Sequence, residues 1–331
     1  MKQIIYFLLA ITSLSAFAGM KYSEAEFEKL IKSGENLLVH VHADWCPTCK
    51  NQKKSLASIE EKNFKNIEVN FDNDKSFTKK YKVFQQSTFL AFAKGSEIAR
   101  KGGITSKEDI ETFIKNSFPA TLQSQLDEKR NGSQAPSEIK MTMEAAKKKL
   151  EDSGILKKAK QKDQNYIDFT LPNVNGGNLI LSEVLKKGPV ILTFYRGGWC
   201  PYCNIQLKAY QVHLEDFKKR GASLVAISPE TMDSSTTTVK KNELKFDILF
   251  DKNNSIARKY GIVFKIENDL KSVYEKFGID LEKNQNNKSW ELPIPATYVI
   301  APNGKIVYSF LNVDYVKRAE PSDILKALDS I

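Results

Sequence analysis

All four cysteines of this chain fall in two Cys-x-x-Cys pairs, Trp45-Cys46-Pro47-Thr48-Cys49-Lys50 and Trp199-Cys200-Pro201-Tyr202-Cys203-Asn204. Each pair follows a short apolar run and precedes a helical pattern, so each demands a strand, a turn and a helix in that order. Two thiols so spaced at a helix start can close a short disulfide and open it again. The positive end of the helix also lowers a thiol's pKa and makes the thiolate nucleophile. A structural cross-link stabilises through the length of loop it closes, and closures this short stabilise little. A shared zinc site is disfavoured, because each pair has its own strand and helix and the chain holds only three histidines. The pattern reads as a two-stage redox protein, with electrons passing from one pair to the other and on to a substrate.

A chain of 331 residues is too long for one ordinary core and fits two domains. Lys2, the apolar residues 4–14 and Ala16-Phe17-Ala18 before Gly19 form an expected export signal over residues 1–18. That apolar run is short for a membrane span, so the mature protein is expected in the periplasm or secreted, without stable membrane insertion. Export permits disulfides. The net charge of +10 is spread as lysines over helical patterns with no aromatic interleaving, which argues for solvated faces and against nucleic acid. No haem, flavin or metal motif is present, and no cofactor is expected.

Residues 20–118 read as helix (25–31), strand (37–41), the first dithiol and its helix, strand (67–71), a strand at 89–92 in a hairpin through Lys94-Gly95, and a closing helix capped by Ser106. This segment resembles thioredoxin, through Trp-Cys-x-x-Cys-Lys placed after a central strand. The resemblance implies that Cys46 is the exposed nucleophile, that Cys49 is the buried resolving thiol, and that Trp45 flanks them. Two positions depart from the pattern. His40 stands where thioredoxins keep a buried acid; a histidine there either shuttles the same proton at neutral pH or simply packs. Ser87 stands where a cis-proline is expected, and a trans bond there would change the substrate groove.

Residues 119–162 read as a helical connector. Ser137 is the expected cap of an amphipathic helix whose apolar face, Ile139, Met143, Ala146 and Leu150, should bury against the second domain. Residues 163–331 alternate strand and helix as a mixed sheet covered by helices. The expected class is α/β, with two thioredoxin-fold domains, each a central mixed sheet flanked by helices.

From about Leu122 onward the chain resembles the peroxiredoxin superfamily, in its branch with a thioredoxin-type dithiol. The likeness is carried by Phe194-Tyr195-Arg196-Gly197-Gly198-Trp199-Cys200-Pro201-Tyr202-Cys203-Asn204, by Glu291-Leu292-Pro293-Ile294-Pro295-Ala296-Thr297-Tyr298, and by Lys317-Arg318-Ala319-Glu320-Pro321. Laid on the family's Pro-x-x-x-Thr-x-x-Cys, Cys203 is the peroxide-attacking thiol; in the thioredoxin register Cys200 attacks and Cys203 resolves. The surrounding segment favours the first register. The family's peroxide-polarising arginine is replaced by Pro295, in a thioredoxin-like cis-proline arrangement. Arg196 or Arg318 could supply the missing charge, or either could be structural. Trp199 and Tyr202 either shape the pocket or pack under the loop, and His213 reads as structural.

The resemblance implies a thiol peroxidase reducing hydrogen peroxide or organic hydroperoxides at Cys200/Cys203. The fused dithiol Cys46/Cys49 would act as its reductant and would itself be renewed by an external thiol partner. The main alternative is a general thiol–disulfide oxidoreductase acting on protein cysteines. A copper(I)-delivery module is a third class, for which Met232 is the nearest candidate ligand beyond the thiols.

Overall fold

The structure is a computed structural model that describes residues 19–59 and 63–331; the expected export signal at 1–18 lies outside them. The chain divides between Ala120 and Thr121 into two units. The first runs β1 (Met20–Lys21), α1 (Glu24–Lys32), β2 (Leu37–His42), α2 (Pro47–Leu56), β3 (Lys65–Asn70), α3 (Lys75–Lys80), β4 (Thr88–Ala93), β5 (Ser96–Gly102) and α4 (Lys107–Ser117). Its sheet has the order β1-β3-β2-β4-β5, with β1, β3 and β2 parallel and β4 and β5 antiparallel.

The two-residue period of β2 divides its side chains between two cores. Leu37, Val39 and Val41 join Phe27, Phe77 and Phe92 on one face, while Leu38 joins Leu56, Phe89 and Ile110 on the other. The same alternation puts His40 on the side of α2, which carries the dithiol. Ser106 caps α4 by accepting the Asp109 N–H at 3.1 Å, as its place in the sequence suggests.

The second unit runs α5 (Leu122–Asn131), α6 (Ser137–Asp152), α7 (Ile155–Lys158), β6 (Thr170–Pro172), β7 (Asn178–Ile180), α8 (Leu181–Leu185), β8 (Val190–Phe194), α9 (Pro201–Val212), α10 (Leu214–Lys218), β9 (Ser223–Ser228), α11 (Met232–Asn242), β10 (Asp247–Phe250) and α12 (Ser255–Lys259). It continues with β11 (Val263–Lys265), α13 (Asn268–Lys276), α14 (Leu281–Gln285), β12 (Glu291–Pro293), β13 (Ala296–Ile300), β14 (Ile306–Leu311) and α15 (Pro321–Leu328). The main sheet has the order β10-β9-β8-β13-β14, again with three parallel strands followed by two antiparallel ones. Both units therefore carry the same strand–dithiol–helix arrangement on a five-stranded mixed sheet. No described helix is long and apolar enough to cross a membrane.

The connector separates into two helices of different character. The N-terminus of α5 is fixed to the far end of the chain, where the Glu320 carboxylate accepts the N–H groups of Leu122 (3.1 Å) and Gln123 (2.6 Å). Leu122 and Leu126 are buried in the core beneath the second dithiol. By contrast α6 has no fully buried residue. Its apolar face, Ile139, Met143, Ala146 and Leu150, lies against α13 of the second unit and is half-buried. A cavity of about 430 Å³ lies beside Ala146, Leu150, Phe264 and Leu270. Ser137 is the first helical residue and not the cap; Pro136 occupies that position and has no side chain to accept an N–H.

Candidate active sites

In the first unit Cys46 is the N-cap of α2. Its sulfur accepts the Cys49 N–H at 3.2 Å and lies 2.6 Å from the Cys49 sulfur, with the two unbonded. Burial pushes the Cys46 thiol up, but hydrogen bonds from Cys49, Ser87 and the helix start outweigh it and hold Cys46 below the usual thiol range. Cys49 is raised, by burial and then by Cys46. The two thiols thus differ in the direction that the thioredoxin-like order of attack and resolution requires. The expectation of an exposed Cys46 is corrected: only 3 % of its surface is open, because the cap geometry folds Sγ over the helix start and under Ser87. The exposed neighbour is Trp45, 62 % open, with its indole N–H donating to Asp72.

Ser87 enters β4 with a trans peptide bond and φ of +59°. Its hydroxyl lies 3.2 Å from both sulfurs. The segment is clamped by Gln52 of α2, whose Nε2 donates to the carbonyls of Ser87 (3.1 Å) and Ile104 (2.8 Å). His40 completes the chain of contacts, with Nε2 donating to Gln52 Oε1 at 2.9 Å and the ring stacked on Phe89. Burial pushes the His40 pKa down to about 3. The ring is therefore neutral and bonded to an amide, which favours the packing alternative for His40 over the proton shuttle.

The second dithiol has a different entry. Cys46 follows the end of β2 by four positions, whereas Cys200 follows the end of β8 by six. The longer loop contains Arg196-Gly197-Gly198. A side chain at Gly198 would place its Cβ 1.8 Å from Thr238 Oγ1, so this loop requires a glycine there. The loop turns Arg196 inward. Its Nη2 donates to Cys200 Sγ at 3.2 Å and its Nη1 to the Tyr274 hydroxyl at 2.9 Å, with the guanidinium over the rings of Trp199 and Tyr315. Arg318 approaches the other thiol, with Nη2 3.7 Å from Cys203 Sγ and Nε donating to Gln206 Oε1 at 2.8 Å. Each sulfur thus has a guanidinium beside it.

Both thiols are fully buried. Burial raises Cys200, but the Cys203 hydrogen bond and the charges of Arg196 and Arg318 prevail and hold it well below the usual thiol range. Cys203 is pushed well above that range, by burial and then by Cys200. The charge arrangement favours the thiolate at Cys200, whereas the sequence register leans toward Cys203 as attacker. A cavity of about 530 Å³ is lined by Arg196, Trp199, Pro201, Tyr202, Tyr274 and Tyr315, and Arg196 connects it to the buried Cys200. Pro295 precedes β13, at the position Ser87 holds before β4, and lines the neighbouring recess with Arg196 and Tyr274. Its expected cis bond is corrected: every described peptide bond is trans. Trans is the lower-energy form for X–Pro. His213 lies at the far end of α9, beside Asp216.

Sequence reading missed Gln52, Gln206, Tyr274 and Glu230. The glutamines had a signal, since both motifs read Trp-Cys-Pro-x-Cys-x-x-Gln. Glu230 had none. It is buried after β9, its Oε2 accepts the Gly198 N–H at 2.8 Å, and burial raises its pKa to about 7.

Comparison with known proteins follows the same division. The AhpC/TSA family profile matches residues 163–309 and the thioredoxin profile matches residues 19–116. A chloroplastic peroxiredoxin Q of Sedum lineare is 31 % identical over 163 residues, which cover 49 % of this chain and 75 % of that protein. A peroxiredoxin Q of Gentiana triflora is 36 % identical over 94 residues, covering 28 % of this chain and 43 % of its own length. The crystal structure of peroxidoxin BcpB from Mycobacterium tuberculosis aligns with 52 % of this chain and 97 % of its own, at 20 % identity and a TM-score of 0.41.

Proposed function

From a chain that belongs to the AhpC/TSA peroxiredoxin family and carries a thioredoxin domain ahead of it, we propose a thiol peroxidase in which Cys200 attacks the peroxide. The observation that carries this is the 3.2 Å contact of the Arg196 guanidinium with Cys200 Sγ. The thiolate attacks the peroxide's hydroxyl oxygen, the O–O bond breaks, and Cys200 becomes a sulfenic acid while the other oxygen leaves as alkoxide or hydroxide and takes a proton from solvent to give alcohol or water. The Arg196 guanidinium beside the attacking sulfur would stabilise the charge that develops on that departing oxygen. Cys203 then attacks the sulfenic sulfur; its proton leaves with the hydroxyl as water, and the Cys200–Cys203 disulfide forms. Exchange with Cys46/Cys49 restores the dithiol, and an external thiol renews that pair.

Stopped-flow mixing of the reduced protein with hydrogen peroxide or an organic hydroperoxide tests the assignment. Cys200→Ser abolishes the rapid oxidation. Cys203→Ser keeps it and stops at the sulfenic acid. Oxidation no faster than that of a free thiol in every form would overturn the peroxidase reading and leave protein disulfides as the rival substrate. That rival is supported by the exposed Trp45 beside Cys46. Export is also part of the proposal. It rests on Lys2, the apolar run and Ala16-Phe17-Ala18, and fractionation of the expressed protein with sequencing of its mature N-terminus tests it.

A further inference from the structure

Among the described residues the first dithiol has no titratable proton acceptor at hydrogen-bond distance outside the pair itself. Among the described residues the sulfurs meet each other, backbone N–H groups and the Ser87 hydroxyl. His40 is engaged with Gln52. Yet exchange requires Cys49 to lose its proton before it can attack. Ser87 touches both sulfurs, at 3.2 Å each. A hydroxyl has one hydrogen and two lone pairs, so it can donate to one sulfur while accepting from the other. Its place is fixed against strain, since φ is +59° at a non-glycine residue and the Ser87 carbonyl is held by Gln52 Nε2 and the Gly103 N–H (2.9 Å).

We propose that Ser87 is a catalytic residue of the first dithiol, relaying the Cys49 proton to the thiol that departs from Cys46. The relay rests on the exchange role given above to Cys46 and Cys49. In the first step the Cys46 thiolate attacks a disulfide R–S–S–R, forming Cys46–S–S–R and releasing R–S⁻. In the second, Cys49 passes its proton to Ser87 Oγ as the Ser87 proton moves to the sulfur of the departing R–S group. The Cys49–Cys46 bond forms, the Cys46–S–R bond breaks, and R–SH leaves. Two electrons pass from the dithiol to the substrate, and the hydroxyl ends as it began.

The test uses the full chain carrying Cys200→Ser and Cys203→Ser, so that only the first pair reacts. Its probe is bis(2-hydroxyethyl) disulfide, whose leaving thiol has an ordinary high pKa. Acid quench and mass spectrometry follow the mixed disulfide and its conversion to the internal disulfide. Ser87→Gly removes the hydroxyl and suits the left-handed backbone; Ser87→Ala removes it alone; Ser87→Thr keeps it. In the Gly and Ala variants the mixed disulfide accumulates, resolving about 10²-fold more slowly near pH 7, the range for a lost general acid–base group. The deficit closes as pH rises and Cys49 ionises unaided, and Thr restores the rate to within about threefold. Resolution at the parent rate in both Gly and Ala variants, or a slowing by one factor at every pH, overturns the relay. If the parent protein forms no internal disulfide at all, the exchange role fails and the relay with it, a result distinct from either.

Discussion

Arg196 carries a positive charge into the interior, and no carboxylate among the described residues pairs with it; its partners are Cys200, Tyr274 and two aromatic faces. Arg196→Met should therefore raise the Cys200 pKa and slow peroxide attack at pH 7 by about 10–10²-fold, one unit of pKa being about 1.4 kcal/mol. Thiolate absorbance titration and stopped flow report the two effects. Glu230 gives a pH prediction of opposite character. Its folded pKa, about 7, lies above the ordinary carboxyl value, so the stability it contributes is full below that ordinary value and is lost as pH rises through 7. Thermal melts of the second unit should fall between about pH 5 and pH 8, and Glu230→Gln should remove most of that slope. The four cysteines, Arg196 and Arg318 could be picked out from the sequence because their motifs are local. Glu230 and Tyr274 could not, since only the packing of separate segments brings them to the Cys200 loop. The proton traffic of the first site was also illegible, because the fate of His40 depends on its burial against Gln52.

Among the elements, α5 and α6 make a natural contrast. Leu126 on α5 is wholly buried below the second dithiol, so Leu126→Ala should cost the second unit about 2–5 kcal/mol in denaturant unfolding. Met143 on α6 lies half-buried beside the cavity, and Met143→Ala should cost under about 1 kcal/mol. A change in that order would mean that α6 carries part of the core. The main strands were legible from their apolar runs, and the helix starts from Pro47 and Pro201 for the two dithiol helices and Ser106 for α4. Residues 263–290 were not: the ribbon strand β11 and the helices α13 and α14 are short, and their burial depends on Trp199, Phe264 and Trp290 packing together. That stretch supplies Tyr274, the partner of Arg196.

At the scale of the whole molecule each unit has its own sheet and its own pair of cores. Calorimetry should resolve two transitions, and the segments on either side of Ala120 should each fold when produced alone. Separated, they should exchange disulfide more slowly than the linked chain at micromolar concentration, since a short tether supplies an effective concentration in the millimolar range. Equal rates would remove the kinetic reason for the fusion.

The two guanidiniums at Cys200 and Cys203 give an expected direction of electron flow. A thiolate neutralises part of their charge, whereas a disulfide leaves both cations facing a neutral group. Reduction of this pair is thereby favoured. At Cys46 the stabilising donors are neutral, so the same preference is weaker there. The second pair should accordingly have the more positive midpoint potential, with electrons running downhill from Cys46/Cys49 to Cys200/Cys203. Glutathione redox titration of each pair in turn measures that gradient, and Arg318→Met should flatten it.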